Sequence, residues 1–340
     1  MLRFLFVLVV TGLAGPSARA GSGPAEPRII EQIPAQPYWR YETTDALDRT
    51  VTFFVSEPPG SDADLPLLVY VQGSGCSSHF AQINGRIAST TGHSLVEQTA
   101  RGRARVLLVE KPGVEYLDAP QSPGSAEHAS DAFKQEHTLD RWATAVVGAI
   151  HAAWGVEGID PSRTIVIGHS EGGIVASRVA VLEPEVTRVG VFAGEGPTQL
   201  YSLIRLAREG HVAPMSDDPG ERAAYITDGY RRVLSDPDAW DRMFLGHPFR
   251  RWSTFLRTSP AEQLRACDAS VLIVQGTEDT AVDPSCADML YAELLALGRD
   301  VELMLFPGVD HSLNTLEDGE LTGTVFPEAV ERALDGIADD

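Results

Sequence analysis

The chain has 340 residues, 43% of them apolar, and carries 48 acidic against 27 basic side chains for a formal net charge of −21. That length and apolar content suffice for a full hydrophobic core, which excludes a disordered chain and a small stapled scaffold. The acidic excess repels nucleic acid and anionic membrane surfaces, so neither is an expected partner.

The first twenty residues stand apart. Arg3 precedes an apolar run from Phe4 to Leu13, and Ala18-Arg19-Ala20 has the small-residue spacing of a cleavage site. Residues 1–20 therefore read as a signal peptide, and the chain as exported to a periplasmic or extracellular space. The apolar run is shorter than the ~20 residues that cross a bilayer, and no later stretch approaches that length, so stable membrane insertion is not expected. Cleavage removes Arg3 and Arg19 and no acid, leaving the mature chain more negative. Residues 21–37 then read as a polar, proline-rich lead.

Tyr38 to Thr44 and Thr50 to Ser56 alternate like half-buried strands and should form an antiparallel edge. Leu65 to Val71, Val106 to Glu110, Thr164 to Ile167, Val189 to Ala193, Val271 to Val274 and Val301 to Phe306 are short apolar runs, the pattern of strands covered on both faces. Helical spacing recurs between them at Thr138 to Trp154, Gly173 to Leu182, Ser285 to Leu297 and Val325 to Ile337. Strands alternating with helices predict a doubly wound, mostly parallel sheet. The interval between Ala193 and Val271 is too long for a crossover loop. Helix-like pieces at Leu200 to Arg208, Glu221 to Leu234, Trp240 to Phe244 and Arg251 to Leu256 make residues 197–266 a helical cap, inserted into a catalytic domain of residues 38–196 and 267–340. Its aromatics, Tyr201, Tyr225, Tyr230, Trp240, Phe244, Phe249, Trp252 and Phe255, either line an apolar pocket or pack the cap's own core, and the second role is the default for each one.

Gly168-His169-Ser170-Glu171-Gly172-Gly173 follows one of the buried strands and opens a helix. In that context Gly-x-Ser-x-Gly predicts a sharp turn with Ser170 at its apex, and Gly168 and Gly172 let the backbone pass close by. A serine hydroxyl needs a base, and the base an orienting acid. Asp279 and His311 each follow a later strand, in the chain order Ser, Asp, His. Glu278, Asp283 and Asp310 are neighbouring acids, with Asp279 preferred. Two backbone N–H groups are needed for the developing oxyanion: that of Glu171, and one from Gln72-Gly73-Ser74-Gly75-Cys76-Ser77-Ser78, with Ser74 preferred over Gly75. His169 is expected to pack behind the turn. Cys76, Cys267 and Cys286 have no metal-ligand spacing, and no disulfide is assigned.

These motifs resemble the α/β-hydrolase superfamily, in particular secreted serine esterases and lipase-like members, with some similarity to prolyl-oligopeptidase-type catalytic domains in Ser170-Glu171-Gly172-Gly173. The resemblance spans about residues 38–337. It implies an eight-stranded, mostly parallel sheet, a covalent acyl-enzyme mechanism without a cofactor or metal, and a small ester or peptide as substrate. Gln72 stands where many esterases of the superfamily have histidine. Hydrolysis of a carboxylic ester is the preferred activity; a serine aminopeptidase or oligopeptidase, and a non-catalytic binding protein on the same scaffold, are the alternatives.

Overall fold

The structure is a computed structural model that describes residues 27–58, 60, 63–213, 216–317 and 319–336. The expected signal peptide and the first part of the lead lie outside the described residues. In chain order the elements begin with β1 (Arg28–Gln32), β2 (Tyr38–Thr44), β3 (Thr50–Ser56), β4 (Leu65–Val71) and a hairpin of β5 (Phe80–Ile83) and β6 (Arg86–Ser89). Then come α1 (His93–Ala100), β7 (Arg105–Val109), α2 (Asp131–Glu136), α3 (Leu139–Ala153), β8 (Ile159–His169), α4 (Glu171–Leu182) and β9 (Val186–Phe192). An interval of α5 (Gln199–Glu209), α6 (Pro219–Ser235), β10 (Met243–Phe244), β11 (His247–Pro248), α7 (Phe249–Phe255) and α8 (Pro260–Arg265) follows. The chain ends with β12 (Ser270–Gly276), α9 (Ser285–Ala296), β13 (Val301–Phe306), a hairpin of β14 (Asn314–Glu317) and β15 (Glu320–Thr324), and α10 (Phe326–Asp335).

Among the described residues the main sheet has nine strands, in the order β1-β2-β3-β7-β4-β8-β9-β12-β13, one more than the resemblance implies. Pairing is antiparallel from β1 to β7 and parallel from there to β13. The added strand, β1, lies in the expected lead. Its Arg-Ile-Ile-Glu-Gln composition shows no alternation, and it is held by the β2 ladder and by ion pairs Arg28–Glu42 and Arg40–Glu31 across it.

Strand side chains divide between two cores with a period of two. On β4, Leu67, Val69 and Val71 join α3, α4, α8 and α9 on one face, whereas Leu68 and Tyr70 join α1 and α10 on the other. The sheet is thus buried on both faces, which is why its central strands read as unbroken apolar runs.

The interval between β9 and β12 has a third, smaller core of its own, in which Phe244, Phe249, Trp252 and Leu256 pack with Ile226 and Val233 and partly cover Tyr225 and Tyr230. Most of the aromatics therefore fill this core, while Phe255 belongs to the main one. Trp240 to Phe244 is not helical as expected. Phe244 pairs with His247, and the two-residue loop between them, Leu245-Gly246, has positive φ at both positions (44° and 76°), the geometry of a tight hairpin. Helix α8 sends Ala261 and Leu264 into the main core, so the insertion's own packing ends at Leu256.

The turn from β8 into α4 is set by steric contact. Ser170 has φ 57° and ψ −126°, a conformation that non-glycine residues adopt only under constraint. A Cβ on Gly168 would lie 2.0 Å from the Gly172 carbonyl oxygen, and one on Gly172 would lie 2.2 Å from the Val71 carbonyl oxygen. These obstacles are backbone, so neither can rotate away. Gly172→Ala is expected to lower the melting temperature by about 10 °C or more, or to abolish soluble protein. Gly124→Ala, with nothing within 4 Å of the added carbon, should leave it unchanged. Equal melting temperatures for the two variants would refute the steric account.

Candidate active site

The sheet topology brings three of the sequence-derived residues together at the C-terminal ends of its parallel strands. Ser170 stands at the end of β8, Asp279 three residues past β12, and His311 in the loop after β13. His311 Nε2 lies 3.0 Å from Ser170 Oγ, and His311 Nδ1 lies 2.9 Å from Asp279 Oδ2. The Asp279 side chain is fully buried, whereas that of His311 is 24% exposed. Asp279 Oδ1 accepts the N–H groups of Ala281 and Val282 at 2.8 and 2.9 Å. Burial raises the Asp279 carboxyl, but the bonds and charge of His311 together with those two N–H groups outweigh it and hold it below the ordinary range.

The competing acids are engaged elsewhere. Glu278 is exposed, Asp283 pairs with Arg205 at 3.0 Å, and Asp310 accepts the backbone N–H groups of Ser312 and Asn314.

Two further polar residues support this line, one that the sequence did not single out and one that it placed elsewhere. Gln275 Nε2 donates to Asp279 Oδ2 at 2.9 Å, the same oxygen that faces His311. Its only signal is a buried amide at the end of an apolar strand, four residues before Asp279. His169, expected behind the turn, instead lines the cleft with Ser170. Its Nε2–H donates to the His311 carbonyl at 2.9 Å and its ring centroid is 5.1 Å from that of His311. Burial lowers its pKa to about 4, so the ring is neutral at pH 7.

The loop after β4 passes beside Ser170. A Cβ on Gly73 would lie 3.1 Å from Ser170 Cβ, and Ser74 lines the same cleft. Among the described residues neither the Ser74 nor the Glu171 N–H has a hydrogen-bond partner, so both donors are open. Cys76 is buried in this loop, and all three cysteines are free thiols; burial raises the Cys76 thiol.

The cleft has a volume of ≈ 490 Å³ and is bounded by Tyr70, Thr90, Thr91, Leu95, Asn314 and Phe326 together with the residues above. None of the insertion's aromatics lines it. A larger groove of ≈ 740 Å³, near Trp39, Tyr41 and Trp154, contains none of the site residues.

Beneath the loop, Glu110 is buried and accepts from Ser78 Oγ and, at 3.3 Å, from the His79 N–H. Burial pushes its pKa up to about 8, against the opposing pull of those bonds. In the unfolded chain the group titrates near its ordinary value of 4.5. Folding therefore takes up a proton between the two values, and this stabilising contribution is lost as pH rises through about 8. Glu110→Gln removes the effect. Its stability relative to the parent should rise between pH 5 and pH 8 by on the order of a few kcal/mol in denaturant titrations; a pH-independent difference would refute this.

Comparison with known proteins places the fold. Residues 68–322 match the model of an alpha/beta hydrolase family. No curated protein matches the sequence. Est1E from Butyrivibrio proteoclasticus is 16% identical with a TM-score of 0.54, the match covering 88% of this chain and 97% of that one. Acetyl xylan esterase from Paenibacillus sp. R4 is 17% identical with a TM-score of 0.56, over 92% of this chain and 88% of that one. A puromycin-hydrolyzing peptidase of Mycobacterium tuberculosis is 16% identical with a TM-score of 0.53, over 90% of this chain but 40% of the peptidase. At such identities the likeness is one of fold. The family match, spanning most of the chain and enclosing Ser170, Asp279 and His311, makes this protein a member of the alpha/beta hydrolase family.

Proposed function

We propose that the protein is a serine hydrolase that cleaves a carboxylic ester through a covalent acyl-enzyme intermediate. The observation that carries this reading is the unbroken hydrogen-bonded line from Ser170 Oγ through the His311 imidazole to buried Asp279. In this reading His311 Nε2 takes the Ser170 proton as Oγ attacks the ester carbonyl, and Asp279 holds the imidazole with Nδ1 protonated. The N–H groups of Ser74 and Glu171 receive the oxyanion, at the N-terminus of α4, where the helix dipole favours negative charge. His311 then returns its proton to the leaving alkoxide. Water deprotonated by the same base attacks the acyl carbon, the bond from that carbon to Ser170 Oγ breaks, and His311 returns the proton to Oγ as the acid departs.

None of these steps calls for a metal or an organic cofactor. The cleft's uncharged, partly polar lining supports a small neutral ester as substrate. Export after cleavage behind Ala20 belongs to the same reading and is supported by the first twenty residues of the sequence.

Ser170→Ala should leave the melting temperature close to that of the parent, lower kcat on p-nitrophenyl esters by about 10⁴-fold or more, and abolish labelling by a fluorophosphonate. Retained turnover would remove Ser170 from its role. Faster turnover of amino-acyl anilides than of acyl esters by the parent would replace the esterase reading with a peptidase one. Gln275→Leu deletes one donor to Asp279, and its kcat should fall about tenfold, the worth of one hydrogen bond to a charged group; an unchanged kcat would show that the backbone N–H groups alone orient the carboxylate.

A further inference from the structure

Two buried basic side chains that the proposed chemistry does not use lie next to the residues that carry the two open N–H donors. Lys111 follows β7 and is 2% exposed. Its Nζ donates to the carbonyls of Gly73 and Gly75 at 2.6 and 2.7 Å, the residues on either side of Ser74, and sits 4.7 Å from the Trp142 ring centroid. Arg251, on α7 of the insertion, is 1% exposed. It forms an ion pair with Glu171, the residue that carries the other donor, and its guanidinium lies 3.9 Å from the Trp252 ring centroid and 5.1 Å from that of Phe255. The second Glu171 oxygen is 3.4 Å from His137 Nε2, and the His137 ring stacks on Phe133 at 4.6 Å.

The arrangement is costly. A buried ammonium and a buried guanidinium oppose folding unless their donors are used, and burial lowers Lys111 to about 7 and Arg251 to about 9. Arg251 Nε and Nη1 have no hydrogen-bond partner among the described residues. The far end of the loop is held by the Cys76 and Ser78 N–H groups, which donate to the carbonyls of Pro123 and Asp118. In the segment Gln72-Gly73-Ser74-Gly75 the two glycines carry no side chain to pack; the Lys111 contact to the Gly73 carbonyl fixes the Gly73–Ser74 peptide plane, hence the direction of the Ser74 N–H, and the contact to Gly75 fixes the Gly75–Cys76 peptide beyond it.

We propose that Lys111 and Arg251 are positioning residues for the oxyanion hole: Lys111 aims the Ser74 N–H by clamping Gly73 and Gly75, and Arg251 anchors Glu171 from the inserted helices. The insertion then serves the reaction by bracing one oxyanion donor from behind. This rests on the assignment of Ser170 as nucleophile.

The test compares the parent with Lys111→Met and Arg251→Met, each checked for cooperative melting and gel-filtration position. A preorganised donor acts in the transition state, so kcat on a p-nitrophenyl ester should fall about 10²-fold with KM changed less than about threefold. The affinity for an aryl trifluoromethyl ketone, whose hemiketal oxygen occupies the oxyanion position, should fall in proportion to kcat/KM. A structural role alone would shift melting and KM without that proportionality. If Lys111→Met does not fold, Lys111→Gln, whose shorter side chain ends in an amide, is measured in its place, with a smaller but still at least about fivefold loss of kcat expected. Folded variants with parental kcat and ketone affinity would overturn the proposal while leaving the nucleophile assignment intact. A parent that neither hydrolyses esters nor reacts with a fluorophosphonate would instead overturn that assignment.

Discussion

Everything at the site depends on one backbone crossing. Where β8 turns into α4, Gly168 meets the carbonyl of Gly172, and Gly172 meets the carbonyl of Val71 on the neighbouring strand. No side chain fits at either position, so the turn is tight enough to force Ser170 to φ 57°. The strain is sustained by the surroundings: Ser170 N–H donates to Phe192 O of β9 at 2.8 Å, and its own carbonyl accepts from Gly173 at 2.9 Å. The same closeness lets the loop after β4 run beside Ser170. Hydroxyl, helix N-terminus and open N–H groups therefore converge because three backbone segments touch.

The parallel register does the rest. Since β4, β8, β9, β12 and β13 all run in one direction, the loops at their C-terminal ends form a single rim, and residues far apart in sequence meet there. The rim is stiffened by polar contacts chosen so that each flexible piece has a fixed neighbour. Gln275 and two backbone N–H groups hold Asp279, and His169 holds the His311 carbonyl. Buried basic side chains next to this rim are expensive, and both have partners at the segments beside Ser170: Lys111 at Gly73 and Gly75, and Arg251 at Glu171.

Fold class and the central line were legible in the sequence because both leave local marks. Buried parallel strands are written as apolar runs, Gly-x-Ser-x-Gly after a strand marks a turn, and Asp279 and His311 follow recognisable strands. What escaped was held by partners distant in the chain. β1 is polar and exists through its ladder with β2. Lys111 reads as an ordinary lysine after a strand, and its contacts at Gly73 and Gly75 depend on β7 lying beside β4. Arg251 lies 80 residues beyond Glu171 in the sequence, with no motif to join them. Trp240 to Phe244 misled because its helical spacing does not register the tight Leu245-Gly246 turn that pairs Phe244 with His247.

The walls of the cleft follow the same logic and bear on specificity. Thr90, Thr91, Asn314 and Thr324 come from β14, β15 and the turn between β6 and α1, short segments with neither apolar runs nor helical spacing. The buried histidines His79 and His93 anchor one of these walls: His79 Nδ1 lies 3.0 Å from Thr91 Oγ1, and His93 Nε2–H donates to the His79 carbonyl at 3.0 Å. Burial keeps both rings neutral at pH 7, so this wall is held by uncharged hydrogen bonds. The aromatics of the insertion follow their default reading, since most pack its own core and none lines the cleft. The insertion is packed into itself, whereas the segment after β6 and the β14–β15 hairpin line the cleft beside Ser170.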